Sequence, residues 1–254
     1  MRGLFDRDSA CNTKKSTREL MSELRVLVTG ASRGIGRAIA LRFAREHAAV
    51  VVAARSSQEL DALVAEIAQA GGRGNAAQMD VRDYGAVEAA AWRASEFLGG
   101  AIDVLVNNAG VFEIKSIEKL DVQSWQRMLE VNLSGPFYVV KETLDALRES
   151  GHAHVFNIAS IAAKRAFPGN AAYCASKYGL RGFSDALRED LRADGIRVST
   201  VYPGTTDTAM LAKIPGPHDR TKINQPEDIA EVVWRAYNAP AGENVDDLDV
   251  PPRG

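Results

Sequence analysis

The sequence predicts an α/β fold of three layers, in which helices cover both faces of a doubly wound parallel sheet of about seven strands. Short apolar, β-branched runs alternate along the chain with longer segments of helical periodicity. Such alternation is typical of parallel strands joined by crossover helices. The chain has 254 residues, 46% of them hydrophobic, which is enough to bury one large core. We therefore expect a single domain over residues 24–254.

The first half of the chain begins with an apolar run that ends in glycines. Ile35, Ile39 and Phe43 then follow at helical spacing, so the sequence predicts a strand near 25–29, a tight turn and a helix near 35–47. The same reasoning predicts the next elements of this half, namely strands near 49–54, 74–79 and 102–107 and helices near 57–71 and 84–98.

The second half contains two long helical patterns. It predicts helices near 122–149, 171–193 and 226–238 and strands near 153–158, 196–202 and 245–250. Residues 212–225 include Pro215 and Pro217 and lack a period, so we expect this stretch to be the most mobile part of the domain. Residues 1–23 are polar and aperiodic, and Met21 would itself serve as a start. We expect this segment to be a disordered extension or an over-called start.

Composition and charge exclude several classes of protein. The net charge of −2 and the pI of about 6.1 provide no basic face for nucleic acid or for an anionic membrane. No apolar run reaches the roughly 18 residues that cross a bilayer, and charges interrupt the segment where a secretory signal would need an apolar core. Cys11 and Cys174 are too few for a disulfide framework and show no ligand pairing with the histidines, so we expect no metal. A cytoplasmic protein with a small-molecule partner fits these properties.

A glycine-rich turn follows the first predicted strand. Gly30, Gly34 and Gly36 let backbone N–H groups approach a pyrophosphate, and the dipole of the next helix favours its negative charge. Three residues separate the first two glycines, whereas the G-x-G-x-x-G fingerprint has one. These glycines could simply form a strand-to-helix turn, but their position at the start of a βαβ unit favours nucleotide binding.

Polar residues follow two later strands and begin one helix. Asn107 opens an amide-rich end to the fourth strand, and Ser160 follows the fifth. Ligands of open α/β sheets bind at these carboxyl ends. Tyr173 and Lys177 are four residues apart, so a helix holds a phenol and an ammonium on one face. Each residue alone has an ordinary explanation as a turn, cap or helix-surface residue, but together they favour a catalytic site.

These motifs resemble the short-chain dehydrogenase/reductase family in its compact single-domain form, over residues 24–250. Residues 29–36 match its TGxxxGxG motif, residues 107–110 its NNAG motif and residues 173–177 its YxxxK motif. The resemblance implies a Rossmann-like sheet and a nicotinamide cofactor. The implied cofactor-binding residues are Gly30, Ser32, Arg33, Gly34, Ile35, Gly36, Arg55, Asp80, Val81, Asn107, Ala109, Gly110, Tyr173, Lys177, Pro203, Gly204, Thr206 and Thr208.

The resemblance also assigns catalytic roles to four residues. Tyr173 exchanges a proton with the substrate oxygen, and Ser160 donates a hydrogen bond to the same oxygen. Lys177 holds the nicotinamide ribose and lowers the pKa of Tyr173, since a cation about 4 Å away supplies the roughly 4 kcal/mol required. Asn132 is expected to kink its helix and to anchor a water between Lys177 and solvent. Thr206 stands where many members have a valine or isoleucine that hydrogen-bonds the carboxamide of the cofactor. A backbone contact with the carboxamide would survive this change, so the threonine affects only the local packing.

Charges near the end of the second strand indicate which cofactor binds. A carboxylate at Ala54 would bind the adenosine ribose and repel a 2′-phosphate, and none is present. Arg55 and Arg33 could instead converge on a 2′-phosphate, so we expect NADP(H) to be favoured over NAD(H). The alternative is that both are solvated surface arginines. Asp80, with Val81, resembles the family's adenine-contacting pair, although Asp80 could equally cap the next helix.

The expected function is an NADP(H)-dependent oxidoreductase that interconverts a ketone or aldehyde and an alcohol or hydroxy acid. The alternative is a catalytically silent NADP(H)-binding sensor or regulatory protein on the same fold, which the presence of Tyr173 and Ser160 disfavours. A sugar epimerase of the extended family is a third hypothesis, which the short chain and the glycine spacing disfavour.

The two longest predicted helices carry more apolar residues than one core face needs. Related proteins pair such helices across a two-fold axis, and the last strand often completes a second contact. We therefore expect a homodimer or homotetramer. The surplus apolar residues are Trp125, Phe137, Tyr138, Leu180, Phe183 and Leu187.

Overall fold

The computed structural model describes residues 23–214, 216–240, 242–243 and 245–253. Its strands are β1 (Arg25–Thr29), β2 (Ala49–Ala54), β3 (Arg73–Gln78), β4 (Val104–Asn107), β5 (His154–Ile158), β6 (Arg197–Pro203) and β7 (Asp247–Val250). They form one parallel sheet in the order β3-β2-β1-β4-β5-β6-β7.

Helices cover both faces of this sheet. They are α1 (Gly34–Ala44), α2 (Ser57–Gln69), α3 (Tyr84–Phe97), α4 (Val122–Leu129), α5 (Gly135–Ser150), α6 (Ala171–Leu191) and α7 (Pro226–Tyr237). Residues of α1, α2 and α7 share one core with the sheet, and residues of α3, α5 and α6 share the other. The predicted three-layer, doubly wound α/β fold is confirmed.

The central strands β1, β2 and β4 are mainly apolar because both of their faces are buried, whereas the edge strands β3 and β7 carry polar residues. Successive side chains of a strand point to opposite faces of the sheet. In β1, Val26 and Val28 join the core beneath α1, α2 and α7, whereas Leu27 joins the core beneath α3, α5 and α6. None of these three is more than 3% exposed. An alternating polar pattern would therefore have placed polar groups in one of the two cores.

The direction of winding reverses at β1, which pairs with β2 on one side and with β4 on the other. The crossover connections leave β1 and β4 toward opposite edges of the sheet. In open α/β sheets such a switch point produces a crevice at the carboxyl ends of the strands. The ends of β4 and β5 are aligned there, with Asn107 paired in register with Asn157.

The sequence predicts one helix near 122–149, but the structure shows that this helix is interrupted. A π-helical turn spans Glu130–Ser134, between α4 and α5. The side chain of Asn132 accepts a hydrogen bond from the backbone N–H of Val111 (2.8 Å) and donates one to its carbonyl (2.9 Å). Pro136 follows, with no N–H for the helical ladder. The irregularity expected at Asn132 is confirmed, and π-helical turns are frequent at functional sites.

The remaining predicted elements differ from the observed ones only at their ends. Residues 1–22 of the predicted extension lie outside the described residues, whereas Glu23 forms an ion pair with Arg73 at 2.7 Å. Pro215, in the stretch expected to be mobile, also lies outside them. Within the described ranges, no helix has the length and apolar character needed to cross a membrane.

Candidate functional site

A cavity of about 360 Å³ opens at the carboxyl edge of the sheet. Its walls come from the ends of β5 and β6, from the loops that follow β4, β5 and β6, and from the start of α6. Three of the four predicted catalytic residues, Ser160, Tyr173 and Lys177, line it. The cavity therefore lies where open α/β sheets bind their ligands.

The glycine turn between β1 and α1 is packed against the loop after β4. A Cβ atom on Gly30, whose φ is +61°, would lie 2.6 Å from the Cα of Ala109. A Cβ atom on Gly36 would collide with the side chain of Asn108. The hydroxyl of Thr29 joins the two segments by accepting hydrogen bonds from the backbone N–H groups of Asn108 (3.0 Å) and Ala109 (3.1 Å). Side chains at either glycine would push these segments apart.

The N-terminus of α1 has the features of an anion-binding site. Arg33 occupies the N-cap position, but its side chain forms no capping hydrogen bond, and the first turn has no acidic residue. Its first N–H groups therefore lack side-chain partners. A Cβ atom on Gly34 would lie 3.2 Å from the side chain of Thr208, so the turn and the loop after β6 border the same space. Ser32 lies in this turn, and Ile35 lines the cavity.

Ser160 and Tyr173 interact in the cavity. The hydroxyl oxygen of Ser160 accepts a hydrogen bond from the backbone N–H of Ala162 at 3.1 Å, which leaves its proton free to be donated. Burial raises the pKa of Tyr173 to about 12, and a hydrogen bond with Ser160 opposes that rise. The ring of Phe112 packs edge-on against the ring of Tyr173, with centroids 4.8 Å apart. The phenol is thus a neutral, proton-bearing group at neutral pH.

Lys177 follows Tyr173 by one helical turn and lines the same cavity, as the four-residue spacing predicts. Its ammonium donates to the carbonyl of Ile158 at 2.8 Å and lies 5.9 Å from the centroid of the Tyr173 ring. Burial lowers the pKa of Lys177 to about 8. The expected lowering of the pKa of Tyr173 by Lys177 is not observed. The ammonium is directed at Ile158, and burial dominates the pKa of the phenol.

Asn132 is fully buried behind these residues. Besides the bonds that accompany the π-helical turn, its amide donates to the hydroxyl of Ser176 at 3.0 Å, which donates to the carbonyl of Tyr173 at 2.8 Å. A Cβ atom on Gly110 would lie 3.5 Å from the Asn132 Oδ1 atom and 3.9 Å from the Lys177 Nζ atom. Asn132, Gly110 and Lys177 are therefore neighbours, although Asn132 does not itself line the cavity.

The end of β6 supplies Pro203 and the loop after it supplies Gly204, Thr206 and Thr208, and all four line the cavity. Thr206 donates its hydroxyl proton to the carbonyl of Gly204 at 3.0 Å. That bond satisfies the hydroxyl, so the packing question raised by a threonine at this position is resolved within the loop.

Asp80 and Val81 lie just after β3, outside the cavity. The carboxylate of Asp80 pairs with Arg82 at 2.7 Å, and hydrogen bonding from Arg82 lowers the pKa of Asp80. The alternative that Asp80 caps the next helix is wrong, because Asp83 caps α3 by accepting a hydrogen bond from the backbone N–H of Ala86 at 3.1 Å. Val81 is buried.

Arg33 and Arg55 are exposed, and neither forms an ion pair with a carboxylate in the described part of the chain. The side-chain amide of Gln78 donates to the carbonyl of Arg55 at 3.0 Å, which joins the ends of β2 and β3. After Arg82, Arg55 makes a smaller electrostatic contribution to the lowered pKa of Asp80. Arg55 is therefore close to the space beside β2 and β3 in which the sequence predicts the adenosine.

Asn107 differs from the other predicted cofactor-binding residues, because its side chain lies inside the sheet. Its amide donates to the Oδ1 atom of Asn157 at 2.9 Å, and Asn157 donates to the hydroxyl of Ser184 at 2.8 Å. The Oδ1 atom of Asn107 has no hydrogen-bond partner among the described residues. The side chain of Asn107 is thus held within the sheet, and Asn107 is not among the residues that line the cavity.

Apart from residues 212–225, which the family resemblance assigns to a substrate lid, sequence reasoning missed the other half of the cavity. Asn170 lines it, and its buried Oδ1 atom has no hydrogen-bond partner in the part of the chain described. Lys213 donates to the carbonyl of Phe112 at 3.0 Å, so the loop after β6 is attached to the loop after β4. These residues belong to no motif and come from loops far apart in the sequence. The apolar members of this half are Phe112, Ile114, Phe167, Met210, Leu211 and Ile214.

Cys174, beside Tyr173, is buried and forms no disulfide within the described ranges. Over those ranges, no group of three or more His, Cys, Asp or Glu side chains is placed to hold a metal ion.

Comparison with known proteins gives consistent similarities. A family model described as short chain dehydrogenase matches residues 24–218. A 3beta-hydroxysteroid dehydrogenase of Mediterraneibacter gnavus is 38% identical over 189 residues, which cover 74% of this chain and 68% of that protein. An oxidoreductase of Staphylococcus aureus, itself uncharacterized, is 33% identical over 89% of this chain and 96% of that protein.

Solved structures are similar over most of this chain. An alcohol dehydrogenase from the archaeon Thermococcus sibiricus, complexed with 5-hydroxy-NADP, has a TM-score of 0.83 and 30% identity, covering 90% of this chain and 96% of that one. An actinorhodin polyketide ketoreductase with NADPH has a TM-score of 0.83 and 33% identity, covering 91% and 96% of the two chains.

Proposed function

The chain belongs to the short chain dehydrogenase family, and from that premise we propose that it is an NADP(H)-dependent oxidoreductase. It would interconvert a ketone or aldehyde and the corresponding alcohol or hydroxy acid by hydride transfer. The observation that carries the proposal is the cavity, which brings Ser160, Tyr173 and Lys177 together beside the glycine turn. A proton donor, a hydrogen-bond donor and a cation around one space suit the reduction of a carbonyl group.

The residues around the glycine turn fit a dinucleotide. Gly30 and Gly36 leave no room for a Cβ atom, and the N-terminus of α1 has no acidic residue or side-chain cap to compete with a pyrophosphate. The neighbours with bound NADP derivatives support the same choice. When bound, the cofactor supplies or accepts the hydride.

In the direction of reduction, Tyr173 gives its proton to the carbonyl oxygen of the substrate. Its raised pKa keeps that proton in place at neutral pH until negative charge develops on the substrate oxygen. Ser160 donates a second hydrogen bond to the same oxygen, and its own oxygen is already held by Ala162. By the family resemblance, Lys177 would hold the ribose next to the nicotinamide, and Asn132 would anchor a water through which the site regains its proton.

The preference for NADP(H) rests on the unpaired arginines at the adenosine end. No carboxylate stands at Ala54, the last residue of β2, and the exposed guanidiniums of Arg33 and Arg55 form no ion pair with a carboxylate among the described residues. A planar guanidinium matches the oxygens of a phosphate monoester. These two residues would therefore hold the 2′-phosphate.

The proposal is tested with ketones, aldehydes and hydroxy acids assayed by NADPH absorbance, using the wild type and Tyr173→Phe. We expect kcat/KM of any accepted ketone to fall by about 10²–10⁴-fold in the variant, because the acid is removed and the cofactor site is kept. Tyr178→Phe is a matched control on the same helix, since Tyr178 is 44% exposed and lies outside the cavity. Near-normal turnover by a folded Tyr173→Phe protein, or NADPH binding with no turnover of any compound, contradicts the proposal.

A further inference from the structure

The half of the cavity beyond the catalytic residues is lined mainly by apolar side chains, with Asn170 as a polar exception. Its walls include Phe112, Phe167, Met210 and Leu211. None of the residues that line the cavity, as the described residues form it, is Asp or Glu. A ligand in this half therefore gains free energy by burying apolar surface, and it meets no negatively charged wall.

Two cations line the cavity, and one of them has no assigned role. Lys177 is buried and bonded to the carbonyl of Ile158. Arg165 is exposed, and its guanidinium carbon lies 5.0 Å from the centroid of the Phe167 ring. It has no carboxylate partner among the described residues, whereas its neighbour Lys164 pairs with Asp249 at 2.8 Å. Arg165 is thus an unpaired guanidinium at the solvent side of an apolar wall.

A short turn connects Arg165 to the catalytic serine. Ser160 begins the 3-10 turn Ile161–Ala163, and the backbone N–H of Arg165 donates to the carbonyl of Ile161 at 3.1 Å. The backbone of Ser160 and that of Arg165 therefore belong to one ordered segment, and both residues line the cavity. Phe167, two residues after Arg165, lies against its guanidinium and lines the same cavity as Ser160.

On the premise of the oxidoreductase function above, we propose that the substrate is an elongated apolar carbonyl compound, or its alcohol, with a carboxylate at the end remote from the reacting carbon. Arg165 binds that carboxylate. A guanidinium offers paired N–H donors that match the two oxygens of a carboxylate, and its contact with an aromatic ring holds its plane. The apolar body of the substrate would pack against the apolar wall of the cavity, and its carboxylate would pair with the guanidinium of Arg165.

Matched acid and ester substrates test this assignment in the full-length chain. NADPH oxidation is measured with para-acetylbenzoate, with the longer para-acetylcinnamate and with the methyl ester of each. We expect Arg165→Gln to lower kcat/KM for the preferred acid by about threefold to thirtyfold, allowing for solvent exposure, and to change it for the ester less than about twofold. Arg165→Lys should keep part of the preference for the acid over the ester, and added salt should weaken that preference. Arg192→Gln, at an exposed arginine outside the cavity, should change kcat/KM for neither the acid nor the ester.

A binding measurement separates this inference from the proposed reaction. Each acid and ester is titrated calorimetrically into wild type and Arg165→Gln with NADP present. The inference is supported if an acid binds more tightly than its ester to the wild type and this difference is lost in Arg165→Gln. That support holds even if no NADPH is oxidised, because the absence of NADPH oxidation would contradict only the proposed function. An acid-to-ester ratio that is the same in both proteins, in binding or in kcat/KM, overturns the role of Arg165 and leaves the oxidoreductase proposal standing.

Discussion

Lys177 and Tyr173 show how burial sets the chemistry of single residues in this protein. Both line one cavity, yet burial shifts their pKa values in opposite directions, because it disfavours the charged form of each. The phenol becomes a weaker acid, with a pKa raised to about 12, and the ammonium a stronger one, with a pKa lowered to about 8. The tyrosine therefore keeps its proton over the physiological range, and the lysine is the group that titrates near it.

This difference predicts a pH dependence. Below pH 8 the ammonium of Lys177 carries its charge, and above that pH the charge is lost, since its pKa is lowered to about 8. We expect kcat/KM for reduction to fall as the pH rises through about 8, while Tyr173 is still protonated. The pH profile of the wild type is compared with that of Lys177→Met, which should be much less active and lack this inflection. A wild-type profile that stays flat to pH 10 would show that the charge of Lys177 is not required.

Cofactor preference is also decided by single residues. Arg55→Ala should raise KM for NADPH by about tenfold or more and leave KM for NADH nearly unchanged, because only NADPH carries the 2′-phosphate. Steady-state kinetics with both cofactors measure this. Arg45→Ala, at an exposed arginine just after the other end of α1, is the matched control. An equal loss with both cofactors would show that Arg55 supports the fold or the phosphates common to both.

At the scale of elements, the π-helical turn connects folding to the site. Its central residue, Asn132, is hydrogen-bonded to both backbone groups of Val111 and to Ser176, so one side chain joins the turn to the loop after β4 and to α6. Those two segments carry Gly110 and Lys177. The side chain at the centre of the turn therefore positions two segments of the site.

Asn132→Ala should be strongly destabilising. It leaves the partly buried N–H and carbonyl groups of Val111 and the buried hydroxyl of Ser176 without their partner, and a fully buried group of this kind costs about 1–3 kcal/mol. We expect the free energy of unfolding to fall by about 2–5 kcal/mol in denaturant titrations. In Asn238→Ala the lost bond, to the carbonyl of Trp234, is exposed, so the cost should stay below about 1 kcal/mol. Equal stability of the two variants would mean that the bonds of Asn132 contribute little.

For the whole molecule, the apolar residues left on the surface bear on assembly. Of the surplus residues predicted from the sequence, Leu180 and Leu187 are buried in the cores, which corrects their assignment to an interface. Phe137 and Trp125 remain 45% and 37% exposed, on α5 and α4. Such a surface is typical of helices that pair with a second copy.

We predict a symmetric homodimer or homotetramer that uses α4, α5 and α6. Light scattering at micromolar concentration should give twice or four times the chain mass of 27.4 kDa. Phe137→Glu should shift the protein to smaller species, because it places a charge in the interface. Trp92→Glu, at a 65% exposed residue of α3, should leave the mass unchanged. A wild-type mass of one chain would contradict the prediction.

Local patterns in the sequence determined most of the fold and the centre of the site. Parallel strands buried on both faces need unbroken apolar runs, so the strands and their alternation with helices could be found by inspection. The glycine turn and the spacing of Tyr173 and Lys177 are also local, because a turn or a helix fixes the relation of residues a few positions apart. These features identified the carboxyl edge of the sheet and three residues that line its cavity.

Only the tertiary structure decided what depends on segments far apart in the chain. A π-helical turn, whose central Asn132 is bonded to Val111, interrupts a helix that periodicity alone predicts as continuous. Desolvation by the surrounding core, rather than the adjacent lysine, governs the pKa of Tyr173. The apolar half of the cavity and the unpaired Arg165 are products of loops that converge after folding. Spacing encodes contacts within one element, whereas burial and convergence arise from the packing of all of them.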